Sequence, residues 1–155
     1  MTIICRKANE QDLDGLYELI KDYAEQGIML PRSREMLVYS IDTFVVAVDD
    51  ESGQLVGCGS LCKLGEELVE IRSLGVQPQC KGLGIGRKLV EFLVEEARQQ
   101  QIPKVMALTY EVAFFEKMGF HVVPKEIFPE KVWKDCIHCK KQHCCDEIAV
   151  LQRLD

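Results

Sequence analysis

The chain has 155 residues, 47% of them hydrophobic and 28% charged, and a formal net charge of −6. That length suits one ordinary domain with a buried core, and the acidic balance argues against nucleic acid or an anionic membrane surface as a partner. Charges interrupt every apolar run short of membrane-spanning length, and the N-terminus "MTIICRKANEQ" lacks a signal-peptide core and cleavage site, so a single cytoplasmic domain over residues 1–155 is expected.

In chain order, Ile3 to Cys5 reads as a strand. Asn9, with Asp12 three residues on, caps a helix whose apolar positions are Leu13, Leu16, Tyr17, Leu19 and Ile20. After "LPRS", Ser33 caps a second helix carrying Met36, Leu37, Tyr39 and Ser40. Phe44 to Val48 and Leu55 to Leu61 flank the turn residues "DDESGQ" and read as an antiparallel hairpin.

"ELVEIRSLGV" is a third β run, ended by Pro78. A helix from about Ile85 to Gln101 follows, with Leu89, Phe92, Leu93 and Ala97 on one face. "KVMALTY" is a buried strand, "VAFFEKMGF" a short helix ended by Gly119, and "DEIAVLQRL" a last strand. The order β-α-α-β-β-β-α-β-α-β predicts an α/β fold with a mixed sheet.

Between the third β run and the long helix lies "KGLGIG". It has neither the Gly-Lys-Ser/Thr end of a P-loop nor the third glycine of a dinucleotide fingerprint. What remains is a Gly-rich turn feeding a helix whose first amides lack partners, with Lys81, Arg87 and Lys88 adding charge. Phosphate binding and a solvated turn are both open readings on that spacing alone.

"LGVQPQCKGLGIGRKLVEFLVEEA" resembles motif A of the GNAT superfamily of N-acetyltransferases, whose turn binds the pyrophosphate of acetyl-coenzyme A. The early helix pair, the "VAVDDESGQLVG" hairpin and "FFEKMGF" resemble superfamily landmarks in the same order, over Met1 to Val123. The resemblance implies a GNAT fold whose mostly antiparallel central sheet splays at its middle, with helices flanking it. It implies acetyl-coenzyme A as co-substrate, held by the backbone of Leu74, Gly75 and Val76 and by Lys81, Gly82, Leu83, Gly84, Ile85, Gly86 and Arg87. The first turn position is Lys81 where the family has Gln or Arg, which keeps a donor and loses a planar one.

It also implies that Glu70 deprotonates the attacking amine, since an ammonium has no lone pair to attack with. Its bland alternative is a solvent-facing strand residue. The usual superfamily acid, a Tyr four residues before Gly-Phe, is Phe115 here, so Tyr110 or solvent is expected to protonate the leaving thiolate.

"LPRSRE", "EIRSLGV", "LTYEVAFFEKMGF" and "PEKVWKDCIHCKKQHCCDEIAV" together resemble the acetyltransferase domain of N-acetylglutamate synthases. That implies glutamate as acceptor, with Arg32, Arg34 and Arg72 gripping its carboxylates and Ser73 adding a hydrogen bond. Solvated or ion-paired arginines are the alternatives. Many such synthases carry an amino-acid kinase-like domain ahead of this one, and 155 residues leave no room for it, so a short form without arginine feedback is expected. Other acceptors of the same fold are a different small amine or a protein N-terminus. A non-catalytic acetyl-coenzyme A sensor is the alternative from another class. Many superfamily enzymes pair, so a homodimer is in keeping with the resemblance.

Eight cysteines are many for a reducing compartment. Cys5, Cys58 and Cys62 sit in apolar strand-like runs and read as core thiols, and neither they nor Cys80 has an evident base beside it, which favours direct transfer over an acyl-cysteine. Within a Cys-rich loop at about 131–146, Cys136-x-x-Cys139 has knuckle spacing, but adjacent Cys144 and Cys145 do not complete a ribbon. Reduced thiols without a metal are expected there, structural zinc and a redox dithiol being the alternatives. His121, His138 and His143 read as surface or loop histidines, and Trp133 as packing for that loop.

Overall fold

Strand β1 (Ile3–Lys7) delivers the chain to Asn9, where the first helix begins. Asn9 accepts from the Gln11 N–H (2.9 Å) while Asp12 accepts from the Asn9 N–H (2.8 Å), the reciprocal cap the sequence announces. Asp12 is also gripped by the Arg6 guanidinium at 2.8 and 3.1 Å. Burial pushes its carboxyl up, but the Arg6 hydrogen bond, the Asn9 N–H and the Arg6 charge together outweigh that and hold it below its usual value. A 3-10 turn at Glu10–Asp12 then runs into α1 (Leu13–Glu25).

Helix α1 ends in a Schellman motif. Gly27 takes the left-handed conformation (φ 75°), its N–H donates to Ala24 O (3.0 Å), and the Ile28 N–H donates to Tyr23 O (3.2 Å). Helix α2 (Arg34–Ser40) starts where Ser33 Oγ accepts from the Met36 N–H (3.1 Å).

The computed structural model describes residues 2–127 and 147–154, so the Cys-rich loop with Cys136, Cys139, Cys144, Cys145, His138, His143 and Trp133 lies outside the described residues. The remaining strands are β2 (Phe44–Asp49), β3 (Leu55–Lys63), β4 (Leu68–Val76), β5 (Lys104–Thr109), β6 (His121–Val123) and β7 (Ile148–Arg153). They form one mixed sheet in the order β1-β2-β3-β4-β5-β7-β6. Pairing is antiparallel for β1–β2, β2–β3, β5–β7 and β6–β7, and parallel for β4–β5. This is the mostly antiparallel GNAT-type α/β sheet that the resemblance implied.

The chain divides into two compact units, Met1–Leu61 with Ile71–Glu96 and Cys62–Glu70 with Ala97–Asp155. In the first, Leu16, Leu19 and Ile20 of α1 and Leu37 of α2 pack with Phe44, Val46 and Cys58. Gly57 and Gly59 meet α3 (Ile85–Gln99): a Cβ on either would lie 3.0 Å from Leu89 or Leu93. Cys58 is buried, as expected, whereas Cys5 and Cys62 are half-buried.

The second unit has its own core of Leu64, Met106, Ala149 and Leu151. Helix α3 stops at Gln99, short of the expected Gln101, because Gln101 turns left-handed (φ 60°). Gln101 N–H then donates to Arg98 O and Ile102 N–H to Ala97 O, each at 3.0 Å. Helix α4 (Val112–Lys117) ends the same way at Gly119 (φ 96°), with Phe120 N–H to Phe115 O at 3.1 Å. Strand β6 was not expected: three residues are too short to show alternation, and it is defined by its pairing with Ala149–Leu151 of β7.

Candidate active site

The turn after β4 is built for backbone exposure. Pro78–Cys80 makes one 3-10 turn with Cys80 buried, and then Gly82 and Gly84 both take left-handed φ, 85° and 80°. A Cβ would meet nothing within 4 Å at either, so glycine is required there by conformation and not by crowding. Ile85 is buried and pins the start of α3, whereas Leu83 points out at 57% exposure. The Lys88 N–H donates to Gly84 O (3.2 Å), which opens the helix, so the amides of Ile85, Gly86 and Arg87 precede any i−4 acceptor within it. Left-handed glycines leading into a helix N-terminus form a concave set of N–H groups suited to anionic oxygens. Arg87 beside it pairs with Glu91 (3.3 Å), both exposed.

Strand β4 is irregular just before this turn. Ser73 has a left-handed φ of 53°, which a non-glycine residue adopts at some cost. Successive carbonyls of a regular strand point to opposite edges, yet Ser60 Oγ donates to Arg72 O and the Cys58 thiol to Ser73 O, both at 3.2 Å. Both donors sit two residues apart on β3, so the backbone twist at Ser73 is what brings adjacent carbonyls to them. Burial pushes the Cys58 thiol up to about 12, against a smaller opposing pull from a hydrogen bond with the Gly75 backbone.

Tyr23 continues the α1 stripe three residues after Ile20, a place in the sequence that signals only packing. Its hydroxyl donates to Val76 O (2.7 Å) and accepts from the Val76 N–H (3.3 Å). Lys81 Nζ lies 5.6 Å over its ring centroid. A Cβ on Gly75 would come within 2.8 Å of that ring, so the glycine leaves room for it.

Among the acceptor candidates, Arg32 borders an open groove of about 250 Å³ with Tyr17, Lys21, Ala24, Glu25 and Pro31. Arg34 is exposed, bonded to Asp14, with its guanidinium 4.5 Å over the Tyr17 ring. The two arginines are therefore brought together around Tyr17, with Arg34 engaged by a carboxylate of α1. Arg72 and Ser73 are half-buried on β4.

In the other unit, Glu70 is 3% exposed and opposite Met106 of β5, not solvent-facing. Tyr110, 41% exposed, follows the end of β5, where Thr109 Oγ1 accepts from the Glu111 N–H (2.7 Å). Phe115 is buried, edge-on to Phe114 and Phe120 at 5.1 Å each. His121 is exposed. Among the described residues no three His, Cys, Asp or Glu side chains gather as a metal site, and no helix is long and apolar enough to cross a membrane.

The model of the acetyltransferase (GNAT) family matches residues 13–120. A Chlorobaculum tepidum protein described as an uncharacterized N-acetyltransferase is 39% identical over 149 residues, covering 96% of this chain and 95% of its own. The amino-acid acetyltransferase of Mycobacterium tuberculosis is 36% identical over 118 residues, 76% of this chain and 67% of that protein. The Pectobacterium carotovorum amino-acid acetyltransferase is 34% identical over 128 residues, and the chain spans only 29% of its length. Among solved structures, N-acetylglutamate synthase from Neisseria gonorrhoeae, bound to coenzyme A and N-acetyl-glutamate, matches all of this chain and 36% of its own with a TM-score of 0.86 at 29% identity. A Mycobacterium tuberculosis protein in complex with coenzyme A matches 98% of this chain and 99% of its own, with a TM-score of 0.85 at 31% identity.

Proposed function

The chain belongs to the GNAT acetyltransferase family, and on that footing we propose that it acetylates the α-amine of glutamate, making N-acetylglutamate for arginine biosynthesis. It is an acetyl-coenzyme A-dependent amino-acid N-acetyltransferase by its relatives; glutamate is the further step. The observation that carries it is the likeness, over the whole chain, to a synthase that binds coenzyme A and N-acetyl-glutamate.

The residues present fit the cofactor. Gly82, Gly84 and the first amides of α3 suit the pyrophosphate, with Lys81 and Arg87 as flanking cations and Leu83, Ile85 and Gly86 forming the rest of the cradle. Along Leu74, Gly75 and Val76 the strand backbone is offered to its amide arm at Leu74, the Val76 N–H and C=O being held by the Tyr23 hydroxyl. Acetyl-coenzyme A supplies a thioester whose acyl carbon the amine attacks, with the thiolate as leaving group. Arg32, Arg34 and Arg72 bind the two carboxylates of glutamate, and Ser73 adds a hydrogen bond. Glu70, 3% exposed, takes the ammonium proton directly or through water. Tyr110 returns a proton to the thiolate, the position usual for that acid being Phe115, packed among rings.

Cationic acceptors would call for carboxylates where this chain offers arginines. The test is thiol release from acetyl-coenzyme A by the purified protein, scanned over the twenty amino acids and several polyamines. Turnover confined to glutamate, and abolished by Arg72→Glu, is expected. Turnover with a cationic amine, or an Arg72→Glu variant as active as its parent, overturns the assignment.

A further inference from the structure

Tyr23 stands where two parts of the cofactor site meet on one side chain. Its main chain is fixed by the end of α1, since Tyr23 O accepts from both the Gln26 and Ile28 N–H groups at 3.2 Å. Its hydroxyl reaches 53 residues along the chain to satisfy both polar backbone groups of Val76, and its ring faces the Lys81 ammonium. Strand residues two apart share an edge, so Leu74 presents its amide and carbonyl on the edge whose end the hydroxyl holds. Gly75 leaves room for the ring, so Tyr23 links that edge to the Lys81 end of the turn, beside the Gln77 N–H that ties the same strand end to Val56 O.

We infer that Tyr23 is a positioning residue for acetyl-coenzyme A, which sets the spacing between the strand that pairs with the cofactor's amide arm and the turn that holds its pyrophosphate. This rests on the reading that Leu74–Val76 and Lys81–Gly86 hold the cofactor. Tyr23 touches no reacting atom and acts through Val76 and Lys81. Losing the hydroxyl leaves the Val76 N–H and C=O without that partner, with Gln77 N–H still bonded to Val56 O (2.8 Å), and leaves the turn as it was, so the two halves of the cofactor should respond differently.

The experiment titrates coenzyme A, and separately 3′-phospho-ADP, which lacks the amide arm, into the wild-type chain and into Tyr23→Phe. Coenzyme A affinity is expected to fall about tenfold, the scale of losing one or two hydrogen bonds, with that for 3′-phospho-ADP unchanged. The KM for acetyl-coenzyme A should rise while the acceptor's KM stays put. Tyr23→Leu, which also removes the face beneath Lys81, should weaken both ligands. Equal coenzyme A affinity in wild type and Tyr23→Phe overturns the inference alone, as does an equal loss for both ligands in Tyr23→Phe, which would mark a merely structural role. A wild-type chain that binds no coenzyme A overturns it together with the cofactor reading beneath it.

Discussion

The ends of α1 and α4 are the same backbone device put to opposite uses. Each closes through a left-handed glycine, Gly27 or Gly119, and each has an aromatic residue four positions earlier whose carbonyl accepts the final N–H of the motif. At α1 that residue is Tyr23, and its ring leaves the helix to serve β4 and the Gly-rich turn. At α4 it is Phe115, and its ring folds back onto Phe120, the residue that donates to it. The motif fixes where a ring begins, and its surroundings differ: Tyr23 meets the backbone groups of Val76, and Phe115 meets the rings of Phe114 and Phe120. The missing tyrosine of the last family landmark is thus a position committed to packing.

The largest effects are expected at the two left-handed glycines. Gly119→Ala should cost about 2 kcal/mol and Gly27→Ala about 1, each including a left-handed penalty of about 1 kcal/mol. The extra loss arises because a Cβ at Gly119 would lie 3.1 Å from Gln152 Nε2, while at Gly27 it meets nothing. In thermal melts that is a fall of roughly 4–8 °C against about 2–4 °C; equal losses would show that crowding at Gln152 is unimportant.

A smaller effect is expected from giving α4 the hydroxyl of α1. Phe115→Tyr buries an oxygen among rings and should destabilise by about 1–2 kcal/mol without raising kcat, as read by denaturant melts and thiol release. A clear gain in kcat would mean that the position still belongs to the chemistry. The smallest is at the third such helix end, where Gln101 takes the left-handed conformation without being glycine. Gln101→Gly should stabilise by about 0.5–1 kcal/mol, visible as a higher urea midpoint.

What the sequence made legible was local. The cap at Asn9 and Asp12, the Ser33 cap, the hairpin around "DDESGQ" and the glycines after Pro78 all act within a few residues, so composition and spacing reveal them. Tyr23 was invisible as anything but one more apolar step on α1, because its partner is Val76. The pairing of Arg34 with Asp14 spans twenty residues, a separation that local spacing does not reveal. Ser73 carried no sign of its left-handed backbone, since serine is not a residue chosen for that conformation. β6 depended wholly on β7 to exist.

Strand β3 closes the matter in terms of what mutation can reach. In "VGCGSL" the odd positions Gly57 and Gly59 face α3, where an added Cβ would lie 3.0 Å from Leu89 or Leu93, and the even ones, Cys58 and Ser60, hold the carbonyls of β4. One parity is crowded against added volume and the other supplies donors. A change on either face therefore acts first on a neighbour, the α3 leucines on one side and the β4 carbonyls on the other.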